Sequence, residues 1–239
     1  MQARFVAVAV AAPLPMGMDL TSDGVSVLPD NLKMEAAAAL PIAIAGVDEV
    51  GRGALFGPVV AAAVILPPTA RAALAALGVT DSKRLSDRRR RQLVTPIKTL
   101  AANYAIGLGS VHDIERLNIL GATWLAMTRA ITQLSPTPSL CLVDGNRPIP
   151  NLTIPQQAVT RGDQTHIEIA AASILAKVWR DTLITRLDSR YPGYGLAQHK
   201  GYGSAMHRHA IQALGPTSQH RRSFKGCQGE GSSQLDGSG

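Results

Sequence analysis

Pro41-Ile42-Ala43-Ile44-Ala45-Gly46-Val47-Asp48-Glu49-Val50-Gly51-Arg52-Gly53 is the stretch whose reading decides the fold. Residues 42–47 form an unbroken apolar run, the pattern of a strand buried on both faces. The run delivers two acids at its tip, and Gly51-Arg52-Gly53 then reads as a tight turn. A second apolar run, residues 59–66, is stopped by Pro67-Pro68. The two runs are close enough in sequence for hairpin-like antiparallel pairing.

Working outward, residues 71–77 suit a short helix closed by Gly78. Asp81-Ser82-Lys83-Arg84-Leu85 reads as loop, and Ser86 as the N-cap of a helix to about residue 102. Residues 104–108 form a third strand. Residues 113–134 carry helical spacing through Ile114, Leu117, Leu120, Trp124, Met127 and Ile131, then break at two prolines. Residues 140–143 form a fourth strand, again ending on an acid, Asp144, followed by Gly145; residues 157–160 are a short fifth. Thr165-His166-Ile167-Glu168 has capping-box spacing at the head of a long helix to about residue 190. Its alanines, Ala170, Ala171, Ala172 and Ala176, permit close approach to a neighbouring element. Residues 205–214 form a last helix closed by Gly215-Pro216. The order predicts an α/β fold, a mixed β-sheet flanked by helices.

Three segments follow: a mobile N-terminal extension at 1–40, an ordered domain at 41–225 and a disordered tail at 226–239. Phe5 to Ala12 is a poor imitation of a signal peptide, and Met16, Met18 and Met34 make an overlong start the plainer reading of the extension. The net charge of +7 is unevenly spread. Residues 1–40 set Arg4 and Lys33 against Asp19, Asp23, Asp30 and Glu35, and the tail holds only Glu230 and Asp236, which leaves +11 on the middle. A basic body between acidic ends suits a polyanionic partner, or serves solubility alone. Cys141 sits in an apolar run and reads as a small buried hydrophobe, Cys227 lies in the polar tail, and neither belongs to a disulfide or zinc pattern. No apolar run approaches a membrane span. A cytoplasmic monomer is expected.

Charged residues make up only 17% of the chain, so acids at the ends of apolar strands stand out. Asp48 and Glu49 follow one strand and Asp144 another. If those strands are neighbours, three carboxylates meet, and they repel strongly unless cations neutralise them. Oxygen donors without His or Cys suit Mg²⁺ or Mn²⁺. A two-metal site of this kind can hydrolyse a phosphodiester. The plainer alternative is that each acid caps a turn, since Asp-Gly is a common turn pair. Asp163 can cap a helix, or be left free for metal if Thr165 takes that role. Asp181 and Glu168 lie within the long helix, Asp181 four residues from Lys177, and read as structural.

Taken together, certain motifs resemble those of the ribonuclease HII family, the bacterial type 2 ribonucleases H. They are Gly46-Val47-Asp48-Glu49-Val50-Gly51-Arg52-Gly53, Asp81-Ser82-Lys83-Arg84-Leu85-Ser86, Val143-Asp144-Gly145 and Gly162-Asp163. Ala171-Ala172-Ser173-Ile174-Leu175-Ala176-Lys177-Val178-Trp179-Arg180-Asp181, His199-Lys200-Gly201-Tyr202-Gly203 and His220-Arg221-Arg222-Ser223-Phe224 complete the ordered set. Val50 departs from the family's usual alanine. The resemblance spans about residues 42–225 and implies a ribonuclease H-like fold with a helical C-terminal part. It implies Asp48, Glu49, Asp144 and Asp163 as catalytic, metal-binding carboxylates. It implies that Gly51-Arg52-Gly53 contacts the ribonucleotide 2′-hydroxyl, and that Tyr202 stacks on the next sugar at an RNA-to-DNA junction. It implies substrates that are RNA–DNA hybrids or ribonucleotide-containing duplex DNA, cut 5′ of the ribonucleotide, as in ribonucleotide excision repair.

The residues agree with this picture. The 2′-hydroxyl separates RNA from DNA, and glycines let backbone approach a sugar; without the acids, the same glycines would be a plain turn. Arg52, Lys83, Arg84 and Lys200 are candidate phosphate contacts. Four consecutive helical arginines at 88–91 point around the cylinder and cannot all face one duplex. His199, His207 and His209 suit surface or phosphate-contact roles. Two other classes remain: a nuclease on the same fold without ribose selectivity, and a nucleic-acid-binding protein that has lost catalysis.

Overall fold

A computed structural model describes residues 43–227, and the expectations for residues 1–40 and for the tail beyond Cys227 lie outside them. Five strands form one mixed sheet: β1 (Ile44–Val50), β2 (Val59–Ile65), β3 (Asn103–Gly109), β4 (Leu140–Asp144) and β5 (Gln156–Val159). Their order is β3-β2-β1-β4-β5. β1 pairs antiparallel with β2 and parallel with β4, so the two acid-tipped strands are neighbours. The helices are α1 (Pro68–Ala76), α2 (Asp87–Leu100), α3 (Val111–Ile131), the single turn α4 (Gly162–Thr165), α5 (Ile167–Asp188), the turn α6 (Leu196–His199) and α7 (Ala205–Leu214). Among the described residues no helix is long and apolar enough to cross a membrane.

The period of two along β2 sorts the core into layers. Val59, Ala61 and Ala63 pack with Ala122, Ala126, Met127 and Ala130 of α3 on one face. Ala62 and Val64 pack with α1, α2 and the alanine stripe of α5 on the other. Small side chains let α5 approach closely. A β-carbon on Gly46 would fall 2.2 Å from the Glu168 carbonyl carbon, so only glycine fits that point of β1. A third cluster, around Phe56, Ile184, Tyr194, Leu196 and Ile211, forms the helical C-terminal part.

Several local expectations change. Thr165 caps nothing: α5 starts after His166 with no side-chain cap, and the Thr165 hydroxyl contacts His166 Nδ1 instead. The reason is α4, a separate helical turn that already uses Thr165 and is entered through left-handed Arg161. α3 is kinked at Asn118, whose side chain accepts from the amides of Leu120 and Gly121, restarting the helix. Cys227, expected in a polar tail, is buried in the third cluster, its thiol 3.6 Å from the Leu55 carbonyl.

Candidate active site

β1 runs through its acids to Val50, and Asp48 and Glu49 remain paired with Ala62 and Ala61 of β2. The parallel ladder to β4 stops one residue earlier, at Val47–Val143. Beyond that point β1 and β4 no longer bond each other, and the next residue on each strand is an acid, Asp48 and Asp144. Asp48, Glu49 and Asp144 each offer an oxygen within 4.8 Å of the others. Asp48 is buried and accepts its neighbour's amide, Glu49 N–H, at 2.7 Å. Burial first, then the charges of Glu49 and Asp144, push its carboxyl well above the usual range. Burial also raises Glu49, although Arg52, 3.3 Å away, pulls it back. Asp144 accepts the Gly162 amide at 2.7 Å, which ties the β4 tip to α4.

Asp163, on α4, stands outside that trio. Its carboxylate faces Lys83 Nζ at 3.4 Å. Burial raises Asp163, with Lys83 opposing and Asp144 and Asp81 adding to the rise. Burial pulls Lys83 down, but Asp163 and Asp48 outweigh it and its pKa is raised. A cleft of about 330 Å³ opens beside the trio, lined by Glu49, Arg52, Trp124, Asp144 and Arg147 among others. A cavity of about 340 Å³ between α2, β3 and α5 has no carboxylate in its lining and lies apart from this chemistry.

Gly51 has φ of +89°, and a β-carbon there would fall 2.1 Å from Arg180 Nε. The turn therefore rests directly on a fully buried guanidinium. Arg180 donates to the carbonyls of Phe56, Pro58 and Lys200, at 2.9, 3.1 and 3.0 Å. Arg221, equally buried, donates to the carbonyls of Arg52 and Gly57 at 2.8 and 2.9 Å. These main-chain acceptors lie in irregular backbone and need donors. Tyr202 pairs with Ala54 through a β-bridge, and its ring lies 5.4 Å from both Lys177 Nζ and the Arg180 guanidinium carbon. Gly51-Arg52-Gly53 and Tyr202 thus belong to one rigid assembly.

Arg52, Lys83 and Arg84 are exposed, Lys83 at 81%. Lys200 is half-buried and bonds the Ala197 carbonyl. The arginines at 88–91 divide as helical geometry requires. Arg89 bonds the Leu77 carbonyl, Arg90 holds the Ser82 and Leu85 carbonyls, and Arg91 pairs with Asp87 at 2.9 Å. Asp181 pairs with Lys177 at 3.1 Å and Glu168 with Arg71 at 2.6 Å, both structural as expected. His207 is a correction: it is buried rather than on the surface. Its spacing with Ala210 and Ile211 on α7 is a buried stripe that could have revealed it. Arg180 and Arg221 stand in the quoted motifs, but the sequence alone assigns them no role; Arg180 falls on the buried face of α5 with Ser173, Ala176 and Ile184.

The ribonuclease HII family profile matches residues 45–227. Ribonuclease HII of Acaryochloris marina is 64% identical over 185 residues, covering 77% of this chain and 93% of its own. That of Synechococcus elongatus is 61% identical over 193 residues, covering 81% and 90%. Among solved structures, ribonuclease H2 of Pyrococcus horikoshii superposes with a TM-score of 0.65 at 24% identity, over 77% of this chain and 94% of that one. Ribonuclease HII of Archaeoglobus fulgidus, solved in complex with PCNA, gives 0.65 at 27% identity, over 77% and 95%. With most of the described chain matched, and the acid-tipped strands side by side in a ribonuclease H-like sheet, the protein belongs to the ribonuclease HII family of metal-dependent ribonucleases.

Proposed function

We propose that the protein hydrolyses the RNA strand of RNA–DNA hybrids and cuts on the 5′ side of single ribonucleotides embedded in duplex DNA. The observation that carries this reading is the convergence of Asp48, Glu49 and Asp144, with oxygens within 4.8 Å of one another, beside a glycine turn. The donors are all hard oxygens, and burial without matching positive charge raises Asp48 and Glu49, so the set fits Mg²⁺ or Mn²⁺. Asp163, linked to the trio through the bond between Gly162 and Asp144, is the fourth ligand. Two such cations, held by the four carboxylates, would supply an activated water and neutralise charge on the reacting phosphate.

The chain's own residues do the rest. Lys83, exposed beside Asp163, meets a phosphate oxygen, as do Arg84, Lys200 and Arg52. Gly51-Arg52-Gly53 presents main chain to the 2′-hydroxyl, where a side chain would exclude the ribose. Tyr202 stacks on the sugar that follows, with its ring backed by Lys177 and Arg180. Selectivity then comes from a fixed spacing between turn and tyrosine.

The test is cleavage of a DNA duplex carrying one ribonucleotide, with Mg²⁺ or Mn²⁺ and then with EDTA. A metal-dependent cut 5′ of the ribonucleotide, with all-DNA duplex intact, is expected. Equal cutting of all-DNA duplex would replace this reading with a nuclease lacking ribose selectivity. No cutting with either metal would leave a nucleic-acid-binding protein.

A further inference from the structure

His207 and His220 are 0% and 1% exposed, and neither touches the carboxylates or the expected path of the substrate. Their hydrogen bonds fix their protonation. The Thr217 amide can only donate, and it points at His220 Nδ1 from 2.9 Å. His220 Nδ1 is therefore bare, and its proton sits on Nε2. At the other end, the Tyr202 carbonyl can only accept, and His207 Nδ1 lies 3.0 Å from it. His207 therefore carries its proton on Nδ1 and presents a bare Nε2. The two Nε2 atoms are 3.2 Å apart, one protonated and one bare, and form the remaining bond. A single arrangement satisfies every group: Thr217 N–H to His220, His220 to His207, His207 to the Tyr202 carbonyl. Burial holds both rings neutral, helped by His199 stacked on His207 and by His207 beside His220, and each is pushed down to about 4.

The relay closes a frame. The segment after the Gly51-Arg52-Gly53 turn is bridged to Tyr202 through Ala54 and to His220 through Phe56. The Leu55 carbonyl accepts the Arg221 amide at 2.9 Å, and Arg221 in turn holds the Arg52 carbonyl. The imidazole pair is the third side, joining the chain at Tyr202 to the chain at His220 without passing through the turn. Two apolar rings would fill the same space, but they would leave the Tyr202 carbonyl and the Thr217 amide without these partners.

We propose that His207 and His220 are positioning residues for ribonucleotide recognition, a buried imidazole relay that fixes Tyr202 against the Gly51-Arg52-Gly53 turn. This rests on the reading of Tyr202 as the residue that stacks at the junction. Neither histidine contacts substrate; both act through the tyrosine's main chain.

The experiment is a double-mutant cycle on the full chain, reading kcat/KM with Mg²⁺ on a DNA duplex carrying one ribonucleotide. His207→Phe keeps a ring but removes its bond to the Tyr202 carbonyl, which retains only the Ser204 amide at 2.8 Å, and strips His220 Nε2–H of its acceptor; it should lose about tenfold, the size of one buried bond left unmade. His207→Asn keeps a donor near the Nδ1 position and should recover to within about threefold of wild type. The decisive arm combines His207→Phe with Tyr202→Ala. A positioning role predicts that the double variant is no slower than Tyr202→Ala alone. Losses that multiply, with Tyr202→Ala itself impaired, would overturn the relay and leave His207 a packing residue. A Tyr202→Ala variant as fast as wild type would instead overturn the junction reading beneath the proposal. If His207→Phe does not fold, His220→Asn runs the same cycle, because it keeps an acceptor for the Thr217 amide while removing the link to His207 together with the ring's contacts to Phe56 and Tyr194.

Discussion

Replacing Asp48 by asparagine should abolish cleavage and, in EDTA, make the protein more stable. The side chain is nearly isosteric, and its oxygen can still accept the Glu49 amide now held at 2.7 Å. What changes is charge. Two unit charges 4.8 Å apart, the span of the acid trio, repel by about 3.5 kcal/mol at an effective dielectric near 20. Asp48 faces two such neighbours, Glu49 and Asp144, and burial adds to the strain. The relief has a ceiling. It cannot exceed the free energy of holding Asp48 protonated at neutral pH, about 4 kcal/mol at ~1.4 kcal/mol per unit. Each 1 kcal/mol of relief below that ceiling raises Tm by roughly 2–4 °C for a domain of this size. Divalent cations reverse the comparison, because a ligand that binds only the folded state stabilises by mass action and the variant has lost a ligand. Thermal melts of both proteins in EDTA and in saturating Mg²⁺, beside a cleavage assay, give the four numbers required. A variant that melts below wild type by the same margin in both conditions would refute the electrostatic argument. Cleavage near the wild-type rate would refute the role of Asp48.

Gly51→Ala should destabilise by about 3 kcal/mol or more, since it combines a left-handed backbone with a β-carbon 2.1 Å from Arg180 Nε. Chemical denaturation checks the stability, and ribonucleotide cleavage should fall with it as Arg180 is displaced from the carbonyls it holds. His207 and His220, pushed down to about 4 from 6.5, set an acid limit. The unfolded chain takes up protons that the native rings refuse, so their contribution is complete above about pH 6.5 and is lost as pH falls towards about 4. Between pH 7 and 5 each ring should cost just under ~2 kcal/mol, so His207→Phe should flatten the urea-stability profile over that interval by about that much; an unchanged slope would count against neutral buried rings.

Much of this was legible because charge is rare in the chain. Asp48 and Glu49 follow one apolar run and Asp144 another, which placed them at strand tips, although in the sheet only the β1–β4 ladder stops before them. That β1 and β4 are neighbours was not legible, because a parallel pair is joined by a long crossover and leaves no local mark. The kink at Asn118 was hidden since apolar spacing continues across it. The false capping box at Thr165 had the right residues at the right spacing, but α4 ends there and the hydroxyl turns to His166. Arg180 and Arg221 show a deeper limit. Composition marks arginine as a surface residue, and only the fold shows main-chain carbonyls converging on a buried guanidinium. His207 was recoverable from its stripe with Ala210 and Ile211, had helical spacing been given more weight than residue type.

The electrostatics of the site are unbalanced in two opposite senses around one turn, Gly51-Arg52-Gly53. On one side of the Gly51 turn, Asp48 is a buried acid and Glu49 a part-buried one whose pairing with Arg52 only partly offsets the rise in its pKa. On the other, Arg180 and Arg221 are buried cations whose hydrogen bonds run to carbonyls, not carboxylates, and Arg221 Nη2 has no partner among the described residues. Burial lowers the pKa of both, Arg221 to about 9, so they remain charged at neutral pH. The acids and the buried guanidiniums are not paired with one another, since both arginines donate to main-chain carbonyls. Gly51 in van der Waals contact with Arg180 keeps them apart, with the turn between. On the proposed reading a divalent cation would relieve the first imbalance, while the buried guanidiniums, out of reach of a phosphate, would add only their field to the turn. The energy that folding leaves unsatisfied at the turn is the part available for binding there. The relay of His207 and His220 is neutral for a simpler reason, burial that disfavours a charged ring, and a neutral donor can hold the Tyr202 carbonyl without adding a further charge beside the turn.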